Sequence, residues 1–323
     1  MTRFALKLLL SACLAVAAIT AGAQPFPTKP VRIVVPYPPG GGNDILARPI
    51  AQKLSEKWGQ TVVVDNRGGA TGMIGTDLVA KAPPDGYTVL LSSSPEIVMN
   101  LSLFPKMAYD PVNDLVPVTL VAVTPLVLVV HPSVPAHTVE EYLALARAKP
   151  GQVAYSSSGN GGPHHVAGAL LGLLGKVSLL HVPYKGGGPQ LADLLAGHTP
   201  SAFLAMPVAA AHIHSGKVRA LAVTTAQRST AFPSVPTMVE SGLPGFDVAQ
   251  WYGMFLPKGA PAALVDKLNA DTIAAIAWPD VRARMLEQGY EPAGTAAPQF
   301  SAFVKAEVVK YRKIIHDAGV KLE

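Results

Sequence analysis

The feature that most constrains this chain is a short strand, a glycine loop and a helix that follow one another directly. Val31–Val35 is a β-branched run that favours a buried strand. Prolines end the run, and residues 40–42, all glycine, then permit tight backbone turns at little steric cost. Asn43 is a suitable N-cap, and apolar residues follow it with helical spacing at Leu46, Ile50, Leu54 and Trp58. We therefore predict a helix that begins at Asn43.

The glycine loop predicts an anion site, because it exposes backbone N–H groups at the positive end of a helix dipole. Its spacing matches neither the G-x-x-x-x-G-K-[ST] pattern of phosphate loops nor the G-x-G-x-x-G pattern of dinucleotide loops. Asp44, directly behind the loop, would repel a polyphosphate in the absence of a metal. The pattern favours a small carboxylate over a purely structural turn.

The same arrangement occurs twice more in the middle of the chain. Val153–Ser156 leads through a Ser/Gly loop into an Ala/Leu helix from His164, and Leu179–Pro183 leads through residues 184–188 into a helix that ends at Ala196. A further strand, Tyr87–Leu91, ends in three serines. Alternating strands and helices predict parallel sheets, in which ligands bind beyond the carboxyl ends of the strands. We expect two α/β units facing each other across a cleft.

Two apolar segments predict where the chain crosses between these units. Val116–Val130 is almost continuously apolar and reads as the strand that leaves the first unit, and Asp247–Leu256 reads as the strand that returns. Lobe 1 is then expected to contain residues 24–123 and 253–323, and lobe 2 residues 124–252.

The N-terminus predicts export. Arg3 and Lys7 precede an apolar run, Leu8–Ile19, that is too short to span a membrane comfortably, and small residues follow it. We predict a signal peptide over residues 1–23 and a periplasmic protein. A lipoprotein processed at Cys13 is the less favoured alternative, because it would leave an apolar tail on the mature chain.

Composition excludes several function classes. Cys13 is the single cysteine and leaves with the signal peptide, so neither a disulfide nor thiolate chemistry is expected. The formal charge is +5 without a Lys/Arg cluster, which argues against nucleic-acid binding.

Adjacent histidines such as His164 and His165 point about 100° apart on a helix and make a poor metal pair. We predict neither a metal nor another cofactor.

A series of motifs resembles the Bug family of periplasmic receptors for tripartite tricarboxylate transporters. The motifs run through nearly the whole mature chain, in order: PYPPGGGND, VVVDNRGGATGMIGT, PDGYTVL, YDPVND, HVPYKGGGP, KVRALAVT and GLPGFDVAQWYGMFLP. The resemblance implies a type II periplasmic-binding-protein fold of the α/β class, with two lobes, a two-strand hinge and a central ligand cleft. It also implies one small organic acid, held by backbone amides and water, and membrane partners that are transporter subunits.

The resemblance also implies which residues bind the ligand. The loops that match the family's carboxylate site, together with the serines after the third strand, contain Tyr37, Pro39, Gly40, Gly41, Gly42, Asp44, Ser93, Ser94, Ser157, Ser158, Gly159, Asn160, Gly161, Tyr184, Lys185 and Gly186. The chain departs from the family at Pro95-Glu96, at Gly162-Pro163 and at residues 205–207. Glu96, Ala205 and Met206 are therefore candidates for ligand specificity.

Each of these residues also has an ordinary structural explanation. Glu96 could meet a ligand ammonium, although the usual exposure of glutamate favours a solvated helix start. Met206 suits an apolar ligand body and core filling equally well, and Lys185 could screen a carboxylate or simply be exposed. Tyr37 and Tyr184 are expected to be hydroxyl donors or walls of the cleft.

Two other functions compete with solute capture. The serines at 156–158 beside His164 and His165 suggest a hydrolase, but G-x-S-x-G is missing and no Asp follows where a catalytic triad would need it. A ligand-sensing receptor with a membrane signalling partner would need the same closing cleft. We predict a monomeric binding protein that is not an enzyme. Its ligand is a dicarboxylate, an amino acid or an aromatic acid.

Overall fold

A computed structural model describes residues 26–322. The predicted signal peptide and Cys13 lie outside the described residues. The strands are β1 Val31–Val35, β2 Val62–Asn66, β3 Thr88–Ser93, β4 Leu115–Val130, β5 Ala154–Ser157, β6 Leu180–Pro183, β7 Ser201–Ala205, β8 Arg219–Val223, β9 Ala249–Pro257 and β10 Glu291–Pro292. The α-helices are α1 Gly42–Trp58, α2 Met73–Ala80, α3 Asn100–Leu103, α4 Val139–Ala148, α5 Pro163–Gly175, α6 Gly187–Leu195, α7 Met206–His214, α8 Ala262–Ala277, α9 Pro279–Glu287 and α10 Ala297–Asp317. None of these helices is both long and apolar enough to cross a bilayer.

The first sheet is parallel at one side and antiparallel at the other. β1 lies between β2 and β3, and all three run in the same direction. β9 pairs antiparallel with β3, and β4 pairs antiparallel with β9. The β-branched β1 is almost completely buried because α1 covers one face of this sheet, as the apolar spacing of α1 predicted.

The long strand β4 connects this sheet to a second one. Its residues 115–125 pair with β9, whereas residues 126–130 pair with β7 and β8. β5 lies between β6 and β7 and is parallel to both. The chain thus forms two α/β lobes joined through β4 and β9, and the predicted fold class is confirmed. The residue boundaries of the lobes remain a prediction.

A continuous hydrophobic cluster passes through both lobes. It contains Leu90, Trp251 and Phe255 from the first sheet and Leu128 and Phe203 from the second. All five side chains are buried, so neither lobe has an entirely separate core.

Two expectations about local structure are wrong. The N-cap of α1 is Gly41, and Asn43 lies in the first turn, where its buried side chain donates to Leu91 O at 3.3 Å. Glu96 is not a solvated helix start, because it lies in a π-helical turn over Pro95–Met99 and is fully buried. In both cases tertiary contacts that local sequence rules do not consider decide the outcome: Leu91 O pairs with Asn43, and the Tyr37 hydroxyl pairs with Glu96.

Candidate functional site

Three glycine-rich loops, each leading into a helix, meet at one cavity of about 910 Å³. The loops precede α1, α5 and α6, and all three follow the carboxyl ends of parallel strands. Residues at all three helix starts line the cavity: Gly42, Asn43, Pro163, His164, Gly186 and Gly187. The first amides of a helix have no intrahelical acceptor, so the three junctions direct unpaired N–H groups and positive dipole ends toward the same space.

The first loop is held in place by Asp44. Tyr37, Pro39, Gly40, Gly41 and Gly42 line the cavity, as the family resemblance implied, but Asp44 does not. Its Oδ2 accepts from Gly40 N at 2.9 Å, and the Arg48 guanidinium donates to both of its carboxylate oxygens at 2.8 and 2.9 Å. Burial acts to raise the pKa of Asp44, but the hydrogen bonds from Arg48 and Gly40 lower it overall. Asp44 is therefore an ionised residue whose charge is balanced by Arg48 and whose hydrogen bond to Gly40 N fixes the shape of the loop.

Behind Tyr37 lies a buried carboxylate. The Tyr37 hydroxyl donates to Glu96 Oε2 at 3.0 Å, so the ring is a wall of the cavity and the hydroxyl proton is directed inward. Glu96 Oε1 accepts from Ser92 Oγ at 2.7 Å, Ser93 N at 2.8 Å and Ser93 Oγ at 3.1 Å. Burial raises the pKa of Glu96, and these hydrogen bonds offset part of the effect. Ser93, Ser94 and Glu96 are buried and lie outside the cavity lining.

The second loop contributes Ser158, Gly159 and Asn160 to the cavity. Ser158 Oγ lies 2.7 Å from His164 Nδ1, whereas the buried Ser157 lies behind the loop, with its Oγ 2.6 Å from His181 Nε2. Burial lowers the pKa of His164 from 6.5 to about 4, so its imidazole is neutral at pH 7. Gly161 lies outside the lining, at a point where its loop approaches lobe 1: a Cβ there would lie 2.7 Å from Leu103 Cδ1.

Of the three residues predicted in the third loop, Gly186 lines the cavity and Tyr184 and Lys185 do not. The Tyr184 hydroxyl donates to Asp193 Oδ2 at 2.5 Å, and Lys185 is exposed. The backbone fixes this loop against the second one, because Tyr184 N donates to Ser157 O at 2.9 Å and Gly186 N donates to Ser158 O at 3.1 Å. The two second-lobe loops thus form a single unit.

A smaller chamber of about 440 Å³ continues the cavity. The two share Gly40, Gly41, Gly42, Ser158, His164, Gly187 and Gln250. The smaller chamber reaches Leu191, Leu204 and Ala205, so Ala205 lies where a specificity residue is expected. Met206 is fully buried in the lobe 2 core and does not line the chamber.

Sequence reasoning missed two tyrosines beside the first glycine loop. Tyr252 and Tyr290 line the smaller chamber with their rings 5.6 Å apart, and a Cβ on Gly42 would lie 2.4 Å from the Tyr252 hydroxyl. Gly42 is therefore needed for this close approach. Tyr252 belongs to the QWYG part of a quoted motif, which is the signal that could have revealed it, whereas Tyr290 has no local signal.

The charge distribution of the two chambers is unusual for an anion site. None of the described residues that line them is Lys, Arg, Asp or Glu. Another groove, of about 990 Å³, lies on lobe 2 and contains Arg219 and Glu240, but the glycine loops do not reach it. The glycine-lined cavity therefore differs from that groove in that its described lining residues carry no Lys, Arg, Asp or Glu.

Comparison with known proteins agrees with this geometry. The family model "Tripartite tricarboxylate transporter family receptor" matches residues 46–320. The chain belongs to this receptor family. Protein BugT of Bordetella pertussis is 38% identical over 302 residues, which cover 93% of each protein. The resemblance to Bug receptors is thus confirmed.

Solved structures of similar receptors share the fold. Rpa4515 of R. palustris, solved with adipate, has a TM-score of 0.84 and 35% identity, covering 92% of this chain and 99% of its own. MatC (Rpa3494) from Rhodopseudomonas palustris, solved with malate, has a TM-score of 0.79 and 32% identity, covering 90% of this chain and 100% of its own. The predicted periplasmic-binding-protein fold is confirmed, whereas the individual binding residues stay a prediction.

Proposed function

We propose that this receptor captures a small carboxylate in the periplasm and presents it to the integral membrane subunits of a tripartite tricarboxylate transporter. The observation that carries the proposal is the convergence of three helix N-termini on a cavity that, among residues 26–322, no Lys, Arg, Asp or Glu side chain lines. Such a cavity suits an anion, because backbone amides and helix dipoles supply positive potential without a cation. Adipate and malate, bound to two similar receptors, belong to the same chemical class.

Capture is proposed to work by lobe closure. The first glycine loop belongs to lobe 1 and the Ser158 and Gly186 loops belong to lobe 2, so one carboxylate can contact both lobes only when they approach. A ligand that binds the closed form more tightly shifts the population toward it by that difference in affinity. Membrane partners would then recognise the closed form of a monomeric, exported receptor. A sensor partner would exploit the same closure, and nothing in the cavity favours it.

The cavity geometry argues against hydrolysis. Ser158 and His164 are within hydrogen-bond distance, but a histidine whose pKa is about 4 is a weak general base at pH 7. Among residues 26–322, no carboxylate hydrogen-bonds to His164 to orient its ring. A nucleophile needs an oriented base, so we assign the Ser158–His164 pair to ligand contact.

A thermal-shift screen tests the proposed function. The mature protein, refolded after removal of any co-purified ligand, is melted with aliphatic, amino and aromatic acids, and with amides of the same acids as matched neutral controls. An acid present at 100 times its Kd should stabilise the folded protein by about 2.7 kcal/mol. We expect a shift with at least one acid and no shift with its amide. Equal shifts with acid and amide, or no shift with any acid, would contradict the proposal.

A further inference from the structure

Gln190, one of the residues that line the smaller chamber, has a fixed side-chain orientation. It is fully buried in α6, and its Nε2 donates to Ser156 O at 2.9 Å and to Phe203 O at 2.8 Å. Both acceptors are strand carbonyls that cannot become donors, so the amide group cannot be reversed.

The carbonyl oxygen of the same side chain has no assigned role. Gln190 Oε1 has no hydrogen-bond partner among the described residues, although it is fully enclosed. Gln190 nevertheless lines the smaller chamber. A buried acceptor without a partner destabilises the folded protein, so a ligand donor that displaces the atoms covering this oxygen and pairs with it gains affinity. Packing of α6 against the strands accounts for the hydrogen bonds of the amide nitrogen, but it gives the amide oxygen no partner.

The surroundings of Gln190 restrict which ligand group can donate a hydrogen bond to its oxygen. The neighbouring part of the wall is apolar, formed by Leu191, Leu204 and Ala205, and no acidic side chain among the described residues lines the chamber. A ligand ammonium would therefore be buried without a counter-charge, and a second carboxylate would face a carbonyl oxygen. A neutral hydroxyl avoids both penalties.

We propose that Gln190 Oε1 accepts a hydrogen bond from a hydroxyl at the far end of the ligand. The preferred ligand is then a monocarboxylate with an apolar body and a distal hydroxyl, and not a dicarboxylate. This inference rests on the proposed function, because it places the carboxylate at the glycine loops. Gln190 is thus a specificity-determining residue.

Matched acids test the inference on the wild-type protein. Calorimetry compares 6-hydroxyhexanoate, hexanoate and adipate, and an aromatic series compares 3-(4-hydroxyphenyl)propanoate, 3-phenylpropanoate and 3-(4-carboxyphenyl)propanoate. In at least one series we expect the hydroxy acid to bind ten-fold or more tightly than its parent, and the diacid to bind no better than the parent. A diacid that equals or exceeds the hydroxy acid in both series overturns the inference but leaves carboxylate capture intact. If none of the six acids binds, the inference about Gln190 fails, whereas carboxylate capture is decided separately by the wider thermal-shift screen.

A variant assigns the preference to one residue. Gln190→Met retains the length of the side chain and removes its acceptor, so the ratio between hydroxy acid and parent should fall close to one. Gln250→Met removes another amide of the same cavity, and the ratio should persist there. A ratio that survives in folded Gln190→Met and collapses in Gln250→Met would overturn the assignment. If Gln190→Met does not fold, the wild-type series still decides the ligand class.

Discussion

At the residue scale, a buried glutamate supports the cavity wall. Glu96 accepts four hydrogen bonds, including one from the Tyr37 hydroxyl. Glu96→Ala would leave these buried donors unpaired, and we expect it to reduce the free energy of unfolding by about 3 kcal/mol. Glu96→Gln retains an acceptor for the serines and should lie within about 1 kcal/mol of wild type, because a neutral side chain costs less to bury.

Urea unfolding at pH 7 measures these differences. Tyr37→Phe is the matched control, since it removes one of the four donors and should cost about 1 kcal/mol. If Glu96→Ala cost no more than Tyr37→Phe, the glutamate would not be the centre of this network. Sequence reasoning could not foresee the network, because glutamate is usually exposed and Tyr37 lies 59 positions away in the chain.

At the element scale, the N-terminus of α1 offers a test of the first-lobe anchor. Gly41 is the N-cap, with φ −79°, and a Cβ there would meet nothing closer than Pro38 O at 3.6 Å, so other residues fit. Gly41→Asp should abolish binding of the acid that the screen identifies, because the new carboxylate blocks the loop, repels the ligand and accepts from the helix amides itself. The same contact caps the helix, so stability should not fall.

Gly41→Asn separates charge from size in this test. It has the same shape as the aspartate variant and also caps the helix, but it carries no charge, so it should retain more affinity than Gly41→Asp. Calorimetric titration gives the affinity, and melting curves without ligand give the stability. Wild-type affinity in folded Gly41→Asp would mean that the carboxylate does not bind at this loop.

Elements that carry a local signal could be predicted from the sequence. Close contacts between side chains that lie far apart in the chain could not. The three glycine junctions and the crossover strand β4 follow from β-branched runs, loop glycines and helical spacing, which are properties of neighbours in sequence. The approach of Tyr252 and Tyr290 to Gly42 joins segments that are more than 200 residues apart and depends on how β9 packs. Met206 could be assigned to either ligand or core because an apolar side chain fits both, and only its zero exposure placed it in the core.

At the scale of the whole molecule, three histidines of lobe 2 make stability depend on pH. Burial lowers the pKa of His164 and of His165 to about 4, and burial together with the charge of the stacked His165 lowers the pKa of His181 to about 4. The unfolded chain binds these protons near pH 6.5, whereas the folded chain does not bind them until about pH 4. Acid therefore favours unfolding: stability is complete above pH 6.5 and decreases as the pH falls toward 4.

The shared strands predict that lobe 1 will lose its structure in the same transition. The tryptophans Trp58, Trp251 and Trp278 lie in α1, in β9 and just before α9, outside the histidine region, while β4 and the hydrophobic cluster join the lobes. Between pH 7 and pH 5 we expect the urea midpoint to fall equally by tryptophan fluorescence and by circular dichroism. His164→Gln should reduce this pH dependence, by up to about 3 kcal/mol over the full titration, whereas the exposed His137→Gln should not. Separate midpoints for the two probes would show that the lobes unfold independently despite their common core.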